Sequence, residues 1–217
     1  FNAVFGELSN RLGANPVAIQ IPAGAGPAHT SLPFYGVIDL VRMRMLSFDD
    51  QKDGLDIQET DIPEELVDTA QAWRLTMLEQ LAEYSDALTD LLLMEEDIPE
   101  SAIHDVLRQG TIEQSFQPVM CGSALHGIGV QPILDAVQAY LPSPLDRPPV
   151  AGTLVSIGRK QEEEQAVSRK PAVDEPFCGL VFKVVPAKTG DISWARIYSG
   201  QITANSRIYN PGKDKKD

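Results

Sequence analysis

The sequence predicts a mixed α/β domain that includes an α+β portion, followed by the first antiparallel strands of a small β-barrel. The apolar run Gln117–Cys121 and the helical periodicity after it are typical of a strand and a helix of a parallel α/β sheet. The proline-rich segment 142–149 cannot sustain a helix and marks a domain boundary. Beyond it, Leu180–Val185 and Ser193–Tyr198 flank a turn at Gly190, which predicts successive antiparallel strands.

Length and composition exclude several classes of protein. The chain has 217 residues, 43% of them hydrophobic, which is enough for one large or two small domains. No apolar run approaches the roughly 18 to 20 residues of a membrane helix, and the net charge of -13 opposes general affinity for nucleic acid phosphates. Cys121 and Cys178 lie in separate apolar runs, which favours buried, reduced thiols and a cytoplasmic protein. The scattered histidines predict no metal site.

The first part of the chain predicts one helix and two strands. The helix is indicated by four apolar residues on one face and by a glycine placed to end it: Val4, Phe5, Leu8, Leu12 and Gly13. A strand is predicted over Pro16–Ile21. Period-two alternation within Gly36–Phe48 predicts an edge strand that places Arg42 and Arg44 on one solvated face.

A helical region follows. A long helix begins near Pro63, and its expected buried stripe is Leu66, Ala70, Trp73, Met77, Leu81 and Tyr84. Its acidic residues lie mainly elsewhere: Glu65, Asp68, Glu79, Glu83 and Asp86. Two shorter helices are predicted over Asp86–Met94 and Pro99–Arg108, with Gly110 as the stop and His104 on a solvated side.

The segment after Cys121 predicts a ligand-binding loop. A loop at the carboxyl end of a strand is where open α/β sheets bind ligands, so the backbone N–H groups of Ser123 to Leu125 are expected to face a polar ligand edge. Pro132 suits the first turn of the next helix. Five apolar residues of that helix are expected to cover the sheet: Val130, Ile133, Leu134, Val137 and Leu141.

The same loop, and two segments before it in the chain, admit other interpretations. The Ser-Ala turn fits a plain strand-to-helix connection, and His126 fits a solvent-facing loop residue. A nucleophile-and-base pair drawn from Cys121, Ser123 and His126 lacks the Gly-x-Ser-x-Gly frame. Gly24-Ala25-Gly26 is not followed by Gly-Lys-Ser/Thr, which excludes a phosphate-binding loop there. Asp49–Gly54 has the wrong ligand order for calcium and is interpreted as a turn.

The residues around the Ser-Ala pair resemble the fifth guanine-recognition motif of translational GTPases. In that motif the Ala N–H meets the guanine carbonyl oxygen and the Ser hydroxyl braces the loop. Three further stretches look like elongation factor G, the ribosomal translocase family: Gly129–Pro132, Leu134–Val137 and Tyr140–Pro144. Leu125 stands where Phe is common and His126 where Lys is common. The resemblance therefore favours guanine contact by the backbone rather than by a lysine side chain.

The resemblance implies the α/β end of a P-loop-type GTPase domain with an α+β insert subdomain, followed by the start of an antiparallel β-barrel domain. The insert subdomain would span residues 1–115, the last strand and helix of the GTPase domain 116–141, a linker and mobile loop 142–175, and the first barrel strands 176–217. The chain is accordingly expected to be an internal fragment. No catalytic residue and no metal ligand is expected in it, because no phosphate-cradling loop, Mg²⁺ site or water-positioning group is recognisable.

The same resemblance implies a function for the longer protein. It would bind GTP or GDP with Mg²⁺, with Ser123, Ala124 and Leu125 as guanine-side contacts, and hydrolyse GTP on the ribosome in the cytoplasm without membrane contact. The insert subdomain would meet the ribosomal stalk protein, and the barrel would meet ribosomal RNA. Two alternatives stay open: a related GTPase of the release-factor or ribosome-protection type, and an acidic module that binds a protein partner through the Pro63–Arg108 helices without nucleotide.

Overall fold

The computed structural model describes residues 1–24, 26–27, 29–30, 33–49, 54, 56–153, 166–188, 190–213 and 215–216. The polar run Arg159–Glu164, predicted as a mobile loop, and residues 50–53 of the predicted acidic turn lie outside this set. The chain divides into two compact units, Phe1–Leu141 and Pro142–Asp217. No helix in the described ranges is long and apolar enough to cross a membrane.

The first unit contains both α-helices and β-strands. Its helices are α1 (Asn2–Leu12), α2 (Glu64–Ala82), α3 (Asp86–Leu93), α4 (Glu100–Glu113) and α5 (Val130–Tyr140). Its strands are β1 (Pro16–Ala18), β2 (Gln20–Ala23), β3 (Gly36–Asp39), β4 (Arg44–Phe48), β5 (Ile57–Thr60) and β6 (Gln117–Val119). Strands β1 and β6 pair in parallel, whereas β2 to β5 form an antiparallel sheet in chain order.

The strand predicted over Pro16–Ile21 is two strands that belong to different sheets. Ile19 stands between β1 and β2: its N–H donates to the carbonyl oxygen of Val119 at 3.0 Å, and its own carbonyl accepts from the N–H of Leu40 at 3.0 Å. The residues on both sides of this switch are buried. Ile19 therefore ties the parallel pair to the antiparallel sheet through the backbone alone.

The single strand predicted within Gly36–Phe48 is wrong, because a turn divides it into β3 and β4. One carboxylate oxygen of Asp39 accepts from the backbone N–H groups of Val41 and Arg42, at 2.8 and 3.1 Å, which is a common way for Asp to start a turn. Arg42 lies in this turn and Arg44 on β4, and both pair with Glu59, at 2.9 and 3.3 Å. Since β5 pairs with the outer side of β4, β4 is an internal strand rather than an edge strand.

The core of the first unit lies between the strands and helices α2, α3 and α4. Five residues of the predicted α2 stripe pack in it: Ala70, Met77 and Leu81 are at most 1% exposed, and Leu66 and Trp73 are partly buried. Tyr84, the sixth predicted residue, is 41% exposed. The α1 prediction is confirmed in its bounds, and Gly13 ends the helix with φ 62°. Its apolar face is only partly used, because Phe1 and Phe5 pack on Trp73 while Val4 and Leu12 are 65% and 72% exposed.

Helix α4 continues past Gly110, so the predicted stop there is wrong. Gly110 is buried inside the helix, and a Cβ atom at this position would lie 2.1 Å from Cε1 of Phe116. The glycine serves side-chain packing rather than termination. The helix ends instead at Gln114, which has φ 62°. His104 is not solvated as predicted, because its Nδ1 lies 2.7 Å from the hydroxyl of Tyr140 on α5.

The predicted orientation of α5 is also wrong. The five apolar residues expected to cover the sheet are 39% to 63% exposed: Val130, Ile133, Leu134, Val137 and Leu141. The helix packs inward instead through Ala136 and the 6% exposed Tyr140, which lie to one side of those residues. Periodicity identified the helix but not which of its two apolar sides the described residues cover.

The second unit has short strand pairs and one long hairpin. Its strands are β7 (Val150–Thr153), β8 (Ala166–Arg169), β9 (Cys178–Ala187), β10 (Gly190–Ser199), β11 (Tyr209–Asn210) and β12 (Lys215–Lys216). The predicted antiparallel pairing of β9 with β10 is confirmed. Trp194 on β10 is 56% exposed. The hairpin base is held by Ser199, whose hydroxyl donates to the carbonyl oxygen of Pro176 at 2.7 Å.

Candidate functional site

The Ser-Ala loop is a closed turn between β6 and α5. The N–H of Ser123 donates to the carbonyl oxygen of Ile128 at 2.8 Å, and the N–H of Ile128 donates back to the carbonyl oxygen of Ser123 at 3.0 Å. A single 3-10 turn, Ala124–His126, lies between these two bonds. Gly127 and Gly129 have φ 67° and 77°, a region that residues with a side chain rarely adopt. The loop ends are thus fixed by backbone hydrogen bonds and by glycines.

Two backbone donors of this loop remain available. Among the described residues, no acceptor meets the N–H groups of Ala124 and Leu125, which open the 3-10 turn where helical N–H groups have no internal partner. Leu125 is 89% exposed. Such adjacent, outward N–H groups suit a carbonyl or anionic oxygen. The Ser123 hydroxyl, expected to brace the loop, makes no hydrogen bond within the described part of the chain.

The glycines beside the loop allow close backbone approach. A Cβ atom at Gly122 would lie 2.7 Å from the carbonyl oxygen of Ile128, and one at Gly129 would lie 2.8 Å from that of Cys121. Both distances are shorter than side-chain contacts permit. The strand end and the helix start are therefore packed backbone to backbone, which holds the loop at a fixed distance from the sheet.

Cys121 is a poor nucleophile in this setting. Burial raises the pKa of its thiol to about 12, so the thiolate is scarce at neutral pH. His126 is exposed, as expected for a loop residue, and no hydrogen bond joins it to the thiol in the described structure. The geometry thus gives no support to nucleophilic catalysis by this pair.

A second cluster of polar side chains lines a cavity that no sequence motif predicts. A cavity of about 410 Å³ is lined in part by Gln20, Asp39, His104 and Tyr140. Burial raises the pKa of Asp39 above its ordinary 3.8, although the N–H groups of Arg42 and Val41 oppose this rise. Burial, with Asp39 nearby, also raises the pKa of Tyr140 to about 12. These residues are far apart in the sequence, so no local motif indicates them.

The cavity is not placed to hold a metal ion. Within the ranges that the structure covers, no three His, Cys, Asp or Glu side chains gather closely enough to bind one. The side-chain oxygen Oε1 of Gln20 is shielded from solvent and has no hydrogen-bond partner among the described residues. The arrangement is that of a buried polar cluster beneath α5, away from the Ser-Ala loop residues, none of which lines it.

Comparison with known proteins decides the family. No family model matches the chain. Curated relatives do: elongation factor G of Salinibacter ruber is 37% identical over 100% of this chain, and elongation factor G of Thermotoga maritima is 43% identical over 97%. The chain belongs to the elongation factor G family. It spans 30% and 29% of the lengths of these two relatives.

A solved structure supports the fold of this elongation factor G segment. The crystal structure of ttk003000868 from Thermus thermophilus matches with a TM-score of 0.67 and 20% identity, over 96% of this chain and 26% of that chain. At this identity the match concerns the mixed α/β fold alone. The resemblance to elongation factor G that the sequence indicated is confirmed by the curated relatives.

Proposed function

We propose that this chain is the guanine-side segment of a ribosomal translocase GTPase, in which the Ser123–Leu125 loop contacts the guanine base. One observation carries the proposal: a loop closed by two backbone hydrogen bonds presents two adjacent N–H donors without a partner among the described residues. The relatives named elongation factor G support its context. A neutral N–H pair suits the guanine carbonyl oxygen, whereas adenine has an amino group there that donates instead.

The proposed division of the longer protein follows the same family. Residues 1–115 form the insert subdomain, 116–141 the last strand and helix of the GTPase domain, 142–175 the linker and following loop, and 176–217 the first barrel strands. GTP hydrolysis would require a phosphate-cradling loop, Mg²⁺ and a positioned water, which we assign to the remaining length of the protein. The segment itself would contribute base recognition and no catalytic group.

Partners are proposed on the basis of exposed charge. The acidic residues of α2 and the start of α3 are exposed, and we assign this face to contact with a ribosomal stalk protein: Glu65, Asp68, Glu79, Glu83 and Asp86. Lys183 and Arg196 are exposed on the β9–β10 hairpin, which suits contact with ribosomal RNA phosphates. The protein would act in the cytoplasm, where translation takes place.

The test is nucleotide binding by the full polypeptide that carries this segment. Calorimetric titration with GDP should show saturable binding, with ATP as the specificity control and this chain alone as the null. Ala124→Pro removes the N–H donor, and a proline suits the first position of a helical turn. Ala124→Gly keeps the donor and is the matched control.

We expect Ala124→Pro to weaken GDP binding by about tenfold, which corresponds to the loss of one hydrogen bond, and Ala124→Gly to leave it nearly unchanged. Unchanged GDP affinity in a folded Ala124→Pro protein would remove the loop from the guanine site. If the folded full polypeptide binds no GDP, the GTPase proposal fails. Binding of a protein partner through the Pro63–Arg108 helices, without nucleotide, would then become the leading function.

A further inference from the structure

The Ser-Ala loop is contacted by a residue from a distant part of the chain. Gly54 lies in the connection between β4 and β5, and a Cβ atom there would be 2.4 Å from the carbonyl oxygen of Gly127. Gly54 is buried and has φ 71°. Its own N–H donates to the carbonyl oxygen of Asp49 at 2.9 Å, which fixes it to the end of β4. Gly54 therefore supports the loop directly behind its 3-10 turn.

Gln131 joins the same two pieces. It is the second residue of α5, and its side-chain Nε2 donates to the carbonyl oxygen of Gly54 at 2.6 Å, across 77 positions of sequence. Its Oε1 is shielded from solvent and has no partner within the described residues. A shielded amide oxygen without a hydrogen bond costs free energy. We therefore attribute the presence of a glutamine here to the bond that its Nε2 makes with Gly54.

We propose that Gln131 and Gly54 are positioning residues that set where the N–H groups of Ala124 and Leu125 point. Gly54 packs against the carbonyl of Gly127, at the end of the 3-10 turn. Gln131 binds Gly54 to helix α5, which starts three residues after Gly127. Through Gly54, the antiparallel sheet of the first unit thus contacts the Ser-Ala loop and helps to orient it. The inference rests on the proposed guanine contact and adds to it the residues that orient the donors.

The experiment compares two glutamines of the same helix in the full polypeptide. Gln131→Met removes the donor at nearly constant size, and Gln138→Met changes the exposed Gln138 in the same way. Each variant is titrated with GDP and with 6-thio-GDP, in which sulfur replaces the carbonyl oxygen of the base. Because sulfur is a weak hydrogen-bond acceptor, a loop that donates to this atom contributes less to binding of the thio analogue.

We expect Gln131→Met to raise the Kd for GDP about five- to tenfold, the effect of misplacing one hydrogen bond, and to raise the Kd for 6-thio-GDP clearly less. Gln138→Met should change neither value. A variant that merely loosened the protein would weaken both nucleotides equally, and that result overturns the positioning role. Equal GDP affinity in Gln131→Met and the parent protein overturns it as well.

A second variant covers the case in which Gln131→Met does not fold, as judged by its melting curve. Gly54→Ala forces a side chain toward Gly127 and strains a positive φ, and it should also weaken GDP more than 6-thio-GDP. If Gly54→Ala leaves both affinities unchanged, the inference is wrong while the guanine site stands. If the parent polypeptide binds neither nucleotide, the proposed function and this inference fall together.

Discussion

At the scale of single residues, Gly110 shows how packing overrides a local rule. Glycine commonly ends a helix, yet here the helix continues through it, and the ring of Phe116, 1% exposed, occupies the space where a side chain would stand. The ring has nowhere to move, since it is buried and also packs edge-on against Tyr84 at 5.1 Å between centroids. The missing side chain is a steric requirement.

Gly110→Ala should therefore destabilise the chain by about 1–3 kcal/mol through overpacking, although alanine favours helices. The matched control is Gly6→Ala in α1, where nothing lies within 4 Å of the new Cβ atom. We expect that variant to stabilise the chain by about 0.5–1 kcal/mol. Urea unfolding of both variants measures the two effects, and changes of the same sign would contradict the steric explanation.

Asp39 makes stability depend on pH in an unusual direction. Burial raises its pKa above 3.8 in the folded chain, so the folded state takes up a proton at higher pH than the unfolded state does. Its contribution to stability therefore increases as pH falls from above the folded pKa toward 3.8. Most paired carboxylates behave in the opposite way, because their folded pKa is lowered.

Asp39→Asn keeps an oxygen that can accept from Val41 and Arg42 but no longer titrates. We expect the free energy of unfolding of the parent chain, minus that of the variant, to increase as the solution is acidified from neutral pH toward about pH 4. Taking the difference between the two proteins cancels the other carboxylates. Parallel stability curves over this range would show that Asp39 is not desolvated enough to matter.

At the scale of elements, helices α4 and α5 are joined by a polar contact in a mostly apolar setting. The hydroxyl of Tyr140 lies 2.7 Å from Nδ1 of His104, and the two rings are stacked with centroids 5.8 Å apart. Arg108 adds a second link, because its guanidinium donates to the carbonyl oxygen of Ala139 at 2.8 Å. The end of α5 is held in place by these two residues of α4.

Tyr140→Phe should cost about 1 kcal/mol, because it removes the bond and leaves the imidazole nitrogen without its partner. Tyr35→Phe is the control, since Tyr35 is 40% exposed and its hydroxyl bonds to no residue of the described structure. Thermal unfolding compares the two. A loss of similar size in both variants would assign the effect to something other than the His104 bond.

The elements also show where sequence patterns succeed. Helices α1 and α2 were predicted because their apolar residues recur at helical spacing over several turns. Strand β5 was missed because all four of its residues are exposed, so no alternation marks it. The division of β3 from β4 was missed because one side chain, Asp39, satisfies two N–H groups and starts the turn. Such bonds are decided by three-dimensional placement rather than by residue type.

The candidate site divides in the same way. The turn at Ser123–Leu125 was predicted because the sequence that forms it, and the two hydrogen bonds that close it between Ser123 and Ile128, lie in one short stretch. The support from Gly54 and the cluster of Gln20, Asp39, His104 and Tyr140 could not be predicted, because their members meet only after folding. The shape of a short turn follows from neighbouring residues, whereas the contact with Gly54 depends on the topology of the whole unit.

At the scale of the whole first unit, two sheets of different type share one strand segment. Strand β1 pairs in parallel with β6, and after Ile19 the same stretch of backbone enters the antiparallel sheet as β2. Ile19 is 4% exposed and has a hydrogen bond on each side. A shift of β6 along β1 would break the bond to Val119, and a shift of β3 along β2 would break the bond to Leu40.

The junction at Ile19 couples the two sheets mechanically through the backbone. A displacement of β6, the strand that leads into the Ser-Ala loop, pulls on Val119 and through it on the backbone of Ile19. The strain then passes to Leu40 and the turn that follows β3. Because the N–H and the carbonyl of Ile19 are bonded to these two different sheets, a shift of either sheet would load the other through one residue's backbone, without a side-chain relay.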